Sequence, residues 1–178
     1  MQTHIREAHA DELETLFPLL LLAEPSASAL RWGLKNLSDT VYRMDASGEL
    51  AGAATMRWRR DPCEMLELAI LRERQGKGLG RQFVAWLVAE ARRRGKPEII
   101  VGTSTTSAAN IIFYQKCGFR ADHVRRDYFR YYDEPVYENG LVVRDMLVLS
   151  LDLAATTQRE DMMNDEVGTM NDEVGTMK

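Results

Sequence analysis

The chain of 178 residues carries only two cysteines, three histidines and five prolines, and it has no apolar run long enough to cross a bilayer. Each shortage removes a class of answer. Cys63 and Cys117 cannot make a disulfide framework. With no export signal in view, free thiols in a reducing cytoplasmic setting are expected. The apolar stretch at residues 17–23 is short, contains Pro18 and follows acidic residues, unlike a signal peptide. A membrane span needs about 18 to 20 apolar residues and has no candidate. His4, His9 and His123 are scattered, without zinc spacing, so no metal is expected. A net charge of −4 argues against a general nucleic-acid partner. What remains is ordinary globular composition, 45% apolar and 28% charged, on a chain long enough to bury one substantial core.

That core is expected in a single domain over residues 1–153. The polar segment 154–178 contains a seven-residue unit twice, at 163–169 and 170–176. Two short polar copies cannot build a solenoid, so a disordered or artefactual tail is expected. Within the domain, residues 3–8 read as a strand, and Asp11 as the N-cap of a helix whose apolar face is Leu13, Leu16, Phe17 and Leu20. Ser26 or Ser28 can cap a second helix reaching Leu37, and both helices should border any cleft made later. Residues 40–44 and 50–58 flank a turn at 45–49, and residues 63–71 form a third strand. A helix follows over 79–94, with Leu79, Phe83, Leu87 and Ala91 along one ridge and Gly95 as its stop. The arginines at 92, 93 and 94 are read as a solvated helix end. A strand at 98–102, hydroxyl N-caps in 103–107, a helix at 108–116 ended by Gly118, and strands at 119–124 and 142–151 complete the domain.

The most informative stretch lies between the third strand and its helix: Gln75-Gly76-Lys77-Gly78-Leu79-Gly80-Arg81. Glycines let a ligand approach the backbone closely. The helix start aims unpaired N–H groups and the positive dipole end into the loop. Lys77 and Arg81 add charge, so the loop suits a phosphate or pyrophosphate. A Walker loop would need glycine at Leu71 or at Glu90, and a dinucleotide fingerprint would need it at Arg81. Neither spacing is met.

Gln75-Gly76-Lys77-Gly78-Leu79-Gly80 resembles the Gln/Arg-x-x-Gly-x-Gly/Ala signature of the GNAT (Gcn5-related N-acetyltransferase) superfamily. Asn110-Ile111-Ile112-Phe113-Tyr114-Gln115-Lys116-Cys117-Gly118-Phe119 resembles its second signature, in family order. The resemblance is to a bacterial subgroup of uncertain substrate, and it covers residues 1–153, most strongly 64–119. It implies an α/β (α+β) fold: a mixed, mostly antiparallel central sheet with a splayed parallel strand pair and helices on both faces. It further implies acetyl transfer from acetyl-CoA to an amine in a ternary complex. Backbone groups at Leu68, Ala69 and Ile70 would align the cofactor, and Gln75, Gly76, Lys77, Gly78, Leu79, Gly80 and Arg81 would hold its pyrophosphate. Asn110 would contact the pantetheine arm. Tyr114 would protonate the departing thiolate, and Phe113 is read as core.

The attacking amine must be neutral, which calls for a base. Glu67 is the candidate beside the thioester. Glu64 shares its strand, but strict alternation puts the two on opposite faces unless a bulge intervenes. His123 is an alternative. Residues 126–138 interleave Tyr128, Phe129, Tyr131, Tyr132 and Tyr137 with Asp127, Asp133, Glu134 and Glu138, a composition suited to a cationic amine. It is also compatible with a hairpin packed on the core or across a homodimer. The expected acceptor is a small cationic amine such as a polyamine, an aminoglycoside or an amino-acid derivative. A protein or peptide acceptor, and a CoA-binding module without turnover, are the alternatives.

Overall fold

The computed structural model describes residues 2–154, so the repeated tail lies outside the described residues. Strand β1 (Thr3–Glu7) leads to helices α1 (Leu13–Leu20) and α2 (Ala27–Asn36). Strands β2 (Thr40–Ala46), β3 (Glu49–Arg57) and β4 (Cys63–Ile70) follow, then helix α3 (Leu79–Arg93) and strand β5 (Glu98–Ser104). Helix α4 (Ala108–Lys116), strand β6 (Arg120–Arg125), a small hairpin of β7 (Tyr137–Glu138) and β8 (Leu141–Val142), and strand β9 (Met146–Asp152) complete the order. Seven strands form one sheet in the order β1-β2-β3-β4-β5-β9-β6. All its pairs are antiparallel except β4 with β5. This is the mixed, mostly antiparallel sheet expected.

The β4–β5 pairing stops early. Cys63, Glu64 and Met65 pair with Ile99, Ile100 and Val101, and beyond Met65 the strands part. The next half of β4 keeps its bonds to β3 but has an unused edge toward β5. A bulge sits at the same place. Thr55 pairs with Glu67 while Met56 pairs with Met65, which leaves Leu66 as the extra residue. An extra residue inverts the alternation after it.

Several local expectations are corrected. Asp11 is not the cap of α1: a 3-10 turn, Ala10–Glu12, precedes the helix, and Glu12 accepts the His9 N–H at 2.8 Å. Hydrogen bonds from Arg6 and His9 hold the Glu12 carboxyl well below the ordinary carboxylate range. The β2–β3 turn is tighter than 45–49. Its two residues, Ser47 and Gly48, have φ of 55° and 83°, the twist that matches a two-residue hairpin. Of the two serines expected as caps of α2, Ser26 takes the role, as one alternative had it, accepting the Ala29 N–H at 3.2 Å. The last strand starts at Met146 instead of 142, because residues 141–142 are taken by the small hairpin.

The core is split by the sheet. Leu79, Phe83, Val84, Leu87, Val88 and Ala91 of α3 are buried with Met65, Ile99, Val101 and Phe119. Burying each such side chain contributes about 1.5–3 kcal/mol. Leu16, Phe17, Leu20 and Leu30 of α1 and α2 cluster with Ala53 and Ala69. Ile100, Met146 and Val148 form a third cluster beneath Tyr128 and Phe129. Helices therefore cover both faces, and the β4–β5 splay lies between the clusters.

Candidate active site

A cleft of about 1380 Å³ takes in the glycine loop, the splay, and a chamber bounded by α2 and the β6–β9 connection. At the loop end, Gly76 and Gly78 have φ of 73° and 78°. A Cβ at either would meet nothing within 4 Å, so backbone conformation, not crowding, requires glycine there. The same openness leaves the loop's backbone approachable. The side chain of Gln75 ties the loop to β4, its Nε2 donating to the Ile70 carbonyl at 2.9 Å. Gly78 begins α3, a 15-residue helix whose first N–H groups have no acceptor within it. Arg74 and Arg81 line this end. Donors and two guanidiniums around an open loop suit a pyrophosphate.

Lys77 is the expected loop residue that does not line the cleft. Its ammonium turns back to the Glu73 carbonyl at 3.0 Å. Arg74 takes the cationic place instead, braced by an ion pair with Glu49 on β3. It belongs to the 3-10 turn Arg72–Arg74, which no motif in the sequence marks.

At the splay, Leu68, Ala69 and Ile70 line the cleft from one side and Asn110 and Tyr114 from the other. Asn110 and Tyr114 stand four apart on α4, on one helix face. Asn110 Nδ2 donates to Thr103 Oγ1 at 3.4 Å. The buried Tyr114 ring meets Phe113 and Phe119 edge-on, with centroids 5.0 and 5.9 Å apart. Its hydroxyl has no hydrogen-bond partner among the described residues. Burial, and secondarily the Cys117 thiol, push the Tyr114 phenol above its ordinary value. It therefore stays protonated at any ordinary pH, as a proton donor must. Phe113 both joins the core and lines the cleft. The hydroxyls before α4 act differently from expectation: Ser107 makes no side-chain cap, because its hydroxyl donates to Glu138 at 2.8 Å.

The bulge at Leu66 intervenes where alternation would have separated Glu64 from Glu67, and both face the cleft. Their surroundings differ. Glu64 is buried but accepts from Arg60 and Arg125, each at 3.3 Å. Glu67 has no cationic partner among the described residues. The buried Thr55 hydroxyl donates to its Oε2 and accepts its backbone N–H at 3.1 Å. Burial, helped by the charges of Glu24 and Glu64, pushes the Glu67 carboxyl up to about 8. Such a group, once ionised as the pH approaches 8, can take a proton from an ammonium.

The chamber beyond is aromatic. Tyr128, Phe129, Tyr131, Tyr132 and Tyr137 line it with Trp32 of α2. Of the carboxylates in 126–138 only Glu138 lines it; Asp127, Asp133 and Glu134 do not. The unforeseen carboxylate is Glu24, from the α1–α2 connection, which accepts from the Tyr131 hydroxyl at 2.8 Å. His123 is not part of the site. It is exposed on the edge strand β6 and pairs with Asp122 at 2.9 Å.

Set beside known proteins, residues 5–119 match the acetyltransferase (GNAT) family. An uncharacterized N-acetyltransferase of Bacillus subtilis strain 168, YvbK, is 37% identical over 142 residues, which are 79% of this chain and 90% of that protein. A Bacillus subtilis acetyltransferase solved in complex with CoA has a TM-score of 0.76 at 35% identity, covering 85% of this chain and 99% of that one. A GNAT family acetyltransferase from Elizabethkingia anophelis with acetyl-CoA bound has a TM-score of 0.77 at 28% identity, covering 84% and 97%.

Proposed function

The chain belongs to the GNAT family of N-acetyltransferases, and from that premise we propose that it moves the acetyl group of acetyl-CoA directly to a primary amine of a small cationic acceptor, within a ternary complex. The cosubstrate supplies an acetyl thioester; the chain holds it and moves the protons. N–H groups from Gln75 to Gly80, with Arg74 and Arg81, bind the pyrophosphate. Lys77 adds charge from outside the cleft wall. The free edge of β4 at Leu68, Ala69 and Ile70 and the amide of Asn110 align the pantetheine arm. As the C–N bond forms, Glu67 takes the proton of the attacking nitrogen. As the C–S bond breaks, Tyr114 gives its proton to the sulfur. An ammonium and a thioester become an amide and a thiol, with one proton released to water.

The observation that carries this reading is the pair Glu67 and Tyr114. One cleft holds a carboxyl raised to about 8 and a phenol kept protonated, with the unpaired edge of β4 beside them. The test is CoA release from acetyl-CoA across a panel of alkylamines, polyamines, aminoglycosides and amino-acid amides. Acetylated product is expected with cationic amines. Tight CoA binding with no product from any amine would overturn the reading.

A peptide or protein N-terminus is the second reading. It is favoured by the exposed Trp32 and Tyr137, at 58% and 67%, both lining the cleft, which offer apolar surface to a larger acceptor. Faster acetylation of peptides than of every small amine would make it the better one.

A further inference from the structure

We propose that Glu24 and the rings of Tyr128, Phe129, Tyr131 and Tyr132 form a second cation site, so that the preferred acceptor carries two positive centres, one that reacts and one that is held. The inference rests on acetyl transfer to an amine in this cleft and adds what the far end of the cleft selects.

The carboxylates of the cleft divide by their partners. Glu64 is neutralised by Arg60 and Arg125. Glu138 accepts from the hydroxyls of Ser107 and Thr106 at 2.8 and 3.3 Å. Glu67 is protonated near neutral pH. Glu24 accepts from neutral donors: the Ser26 N–H at 2.9 Å and the Tyr131 hydroxyl at 2.8 Å, with the Tyr132 hydroxyl also within its reach. No cation pairs with it among the described residues. Glu24 and Glu138 thus both lack a counter-charge among the described residues, and Glu24 is the one hydrogen-bonded to the ring cluster, through Tyr131.

The rings around it are close. Tyr131 and Tyr132 centroids are 4.7 Å apart, Phe129 and Tyr132 stack at 5.6 Å, and Tyr128 lies 5.1 Å from Phe129 and 6.0 Å from Tyr131. The charge of Glu24 is felt at all three tyrosines, whose phenols are raised by burial first and by Glu24 among the further causes. A carboxylate beside several π faces attracts a cation twice, through its charge and through the ring quadrupoles.

The chemistry separates this site from the reacting one. The attacking nitrogen has to lose its proton and so cannot remain the counter-charge of Glu24. A second ammonium keeps its charge throughout and can stay in the ring cluster. A monoamine would leave Glu24 uncompensated in a chamber lined by Leu37, Val136 and Val143. The site therefore discriminates partly by what a wrong acceptor fails to satisfy.

The test is isothermal titration of the full chain, loaded with CoA, with α,ω-diaminoalkanes and with n-alkylamines of equal length. A diamine of matching length is expected to bind roughly ten- to hundredfold tighter than its monoamine. Glu24→Gln, which keeps an oxygen for the Ser26 N–H and turns an amide N–H toward the Tyr131 hydroxyl oxygen, is expected to abolish that ratio. Tyr131→Phe, which removes the hydrogen bond and keeps the ring, is expected to retain it. Equal affinities in the unmodified chain, or a preference that survives Glu24→Gln, would overturn the proposal. Loss of the preference in Tyr131→Phe as fully as in Glu24→Gln would also overturn it, assigning the effect to the strap between the two loops. Turnover is read separately. A binding preference without acetylated product leaves the cation site standing and removes the transfer reaction. Product without a preference does the reverse.

Discussion

Glu67→Gln separates the chemistry of this cleft from its architecture, because it opposes two observables. The Thr55 hydroxyl can still donate to the amide oxygen, so the local hydrogen bond survives. What disappears is the titrating group. The carboxyl of Glu67 moves from an ordinary 4.5 to about 8, which disfavours the ionised form by roughly 5 kcal/mol at most. The sign follows from the two states. Below pH 4.5 the carboxyl is protonated whether the chain is folded or not, and it has no effect on stability. From there to about 8 the unfolded chain ionises first, so stability falls as pH rises. Above 8 the penalty is complete. Residual hydration and the Thr55 bond reduce it, and a gain of about 2–3 kcal/mol is expected for Glu67→Gln at pH 9, roughly 5–10 °C in Tm. None is expected at pH 4.

Activity should move the other way. A positioned general base contributes about 10²–10⁴-fold, and the substitution should lower kcat/KM within that range. The pH profile carries the sharper information. The unmodified chain should show an inflection near pH 8 as Glu67 ionises, below the higher inflection of the acceptor amine itself. Glu67→Gln should lack the lower inflection and rise with pH until the amine is neutral. Thermal melts at the two pH values and a kcat/KM profile on one amine complete the experiment. If the profiles superimpose, Glu67 is not the base. If the variant is no more stable at pH 9, the carboxyl is not buried as described.

Tyr114→Phe should lower kcat by about 10–10²-fold, the modest end for a proton transfer because a thiolate leaves readily. It should leave Tm unchanged or slightly raised, since no hydrogen bond to the hydroxyl is lost; an unchanged kcat in single-turnover assays removes Tyr114 from the mechanism. Gly78→Ala forces a side chain into φ of 78°, at a cost of about 1–2 kcal/mol. Urea titration should show that loss together with weaker CoA binding, and unaltered CoA affinity would place the pyrophosphate elsewhere.

Much of this was legible because it is local. The ridge of α3, the glycines that end α3 and α4, and the loop between β4 and α3 are written in consecutive residues, and the helix at 108–116 has the limits expected. What escaped is set by contacts between distant segments. Ser107 is a good cap by type, yet Glu138, 31 residues on, takes its hydroxyl. Lys77 sits in the motif, yet Arg74 lines the cleft because Glu49 of another strand orients it. Glu24 meets Tyr131 across 107 residues, and no window along the chain contains both. The aromatic composition of 126–138 did point to rings that line the cleft, although the carboxylate bonded to Tyr131 comes from elsewhere.

The least legible feature is also the one that brings Glu67 into the cleft. Leu66 has no residue-type signature of a bulge. Yet Met65 and Leu68 pack toward α3 while Ala69 packs toward α1 and α2, a sequence of faces that strict alternation through Leu66 cannot produce. Without the extra residue, Glu67 would share a face with Met65 and enter the apolar core under α3, where an ionisable carboxyl has no partner. With it, Glu67 turns to the α2 face, where Gly33 stands: a Cβ there would lie 3.8 Å from Glu67 Oε1. Burial on that face, with the charges of Glu24 and Glu64, lifts the carboxyl to about 8. The bulge begins where β5 departs, after Met65. A single irregularity in β4 thus accompanies the opened edge and sets Glu67, the proposed base, beside it, so one strand would register both halves of the proposed reaction.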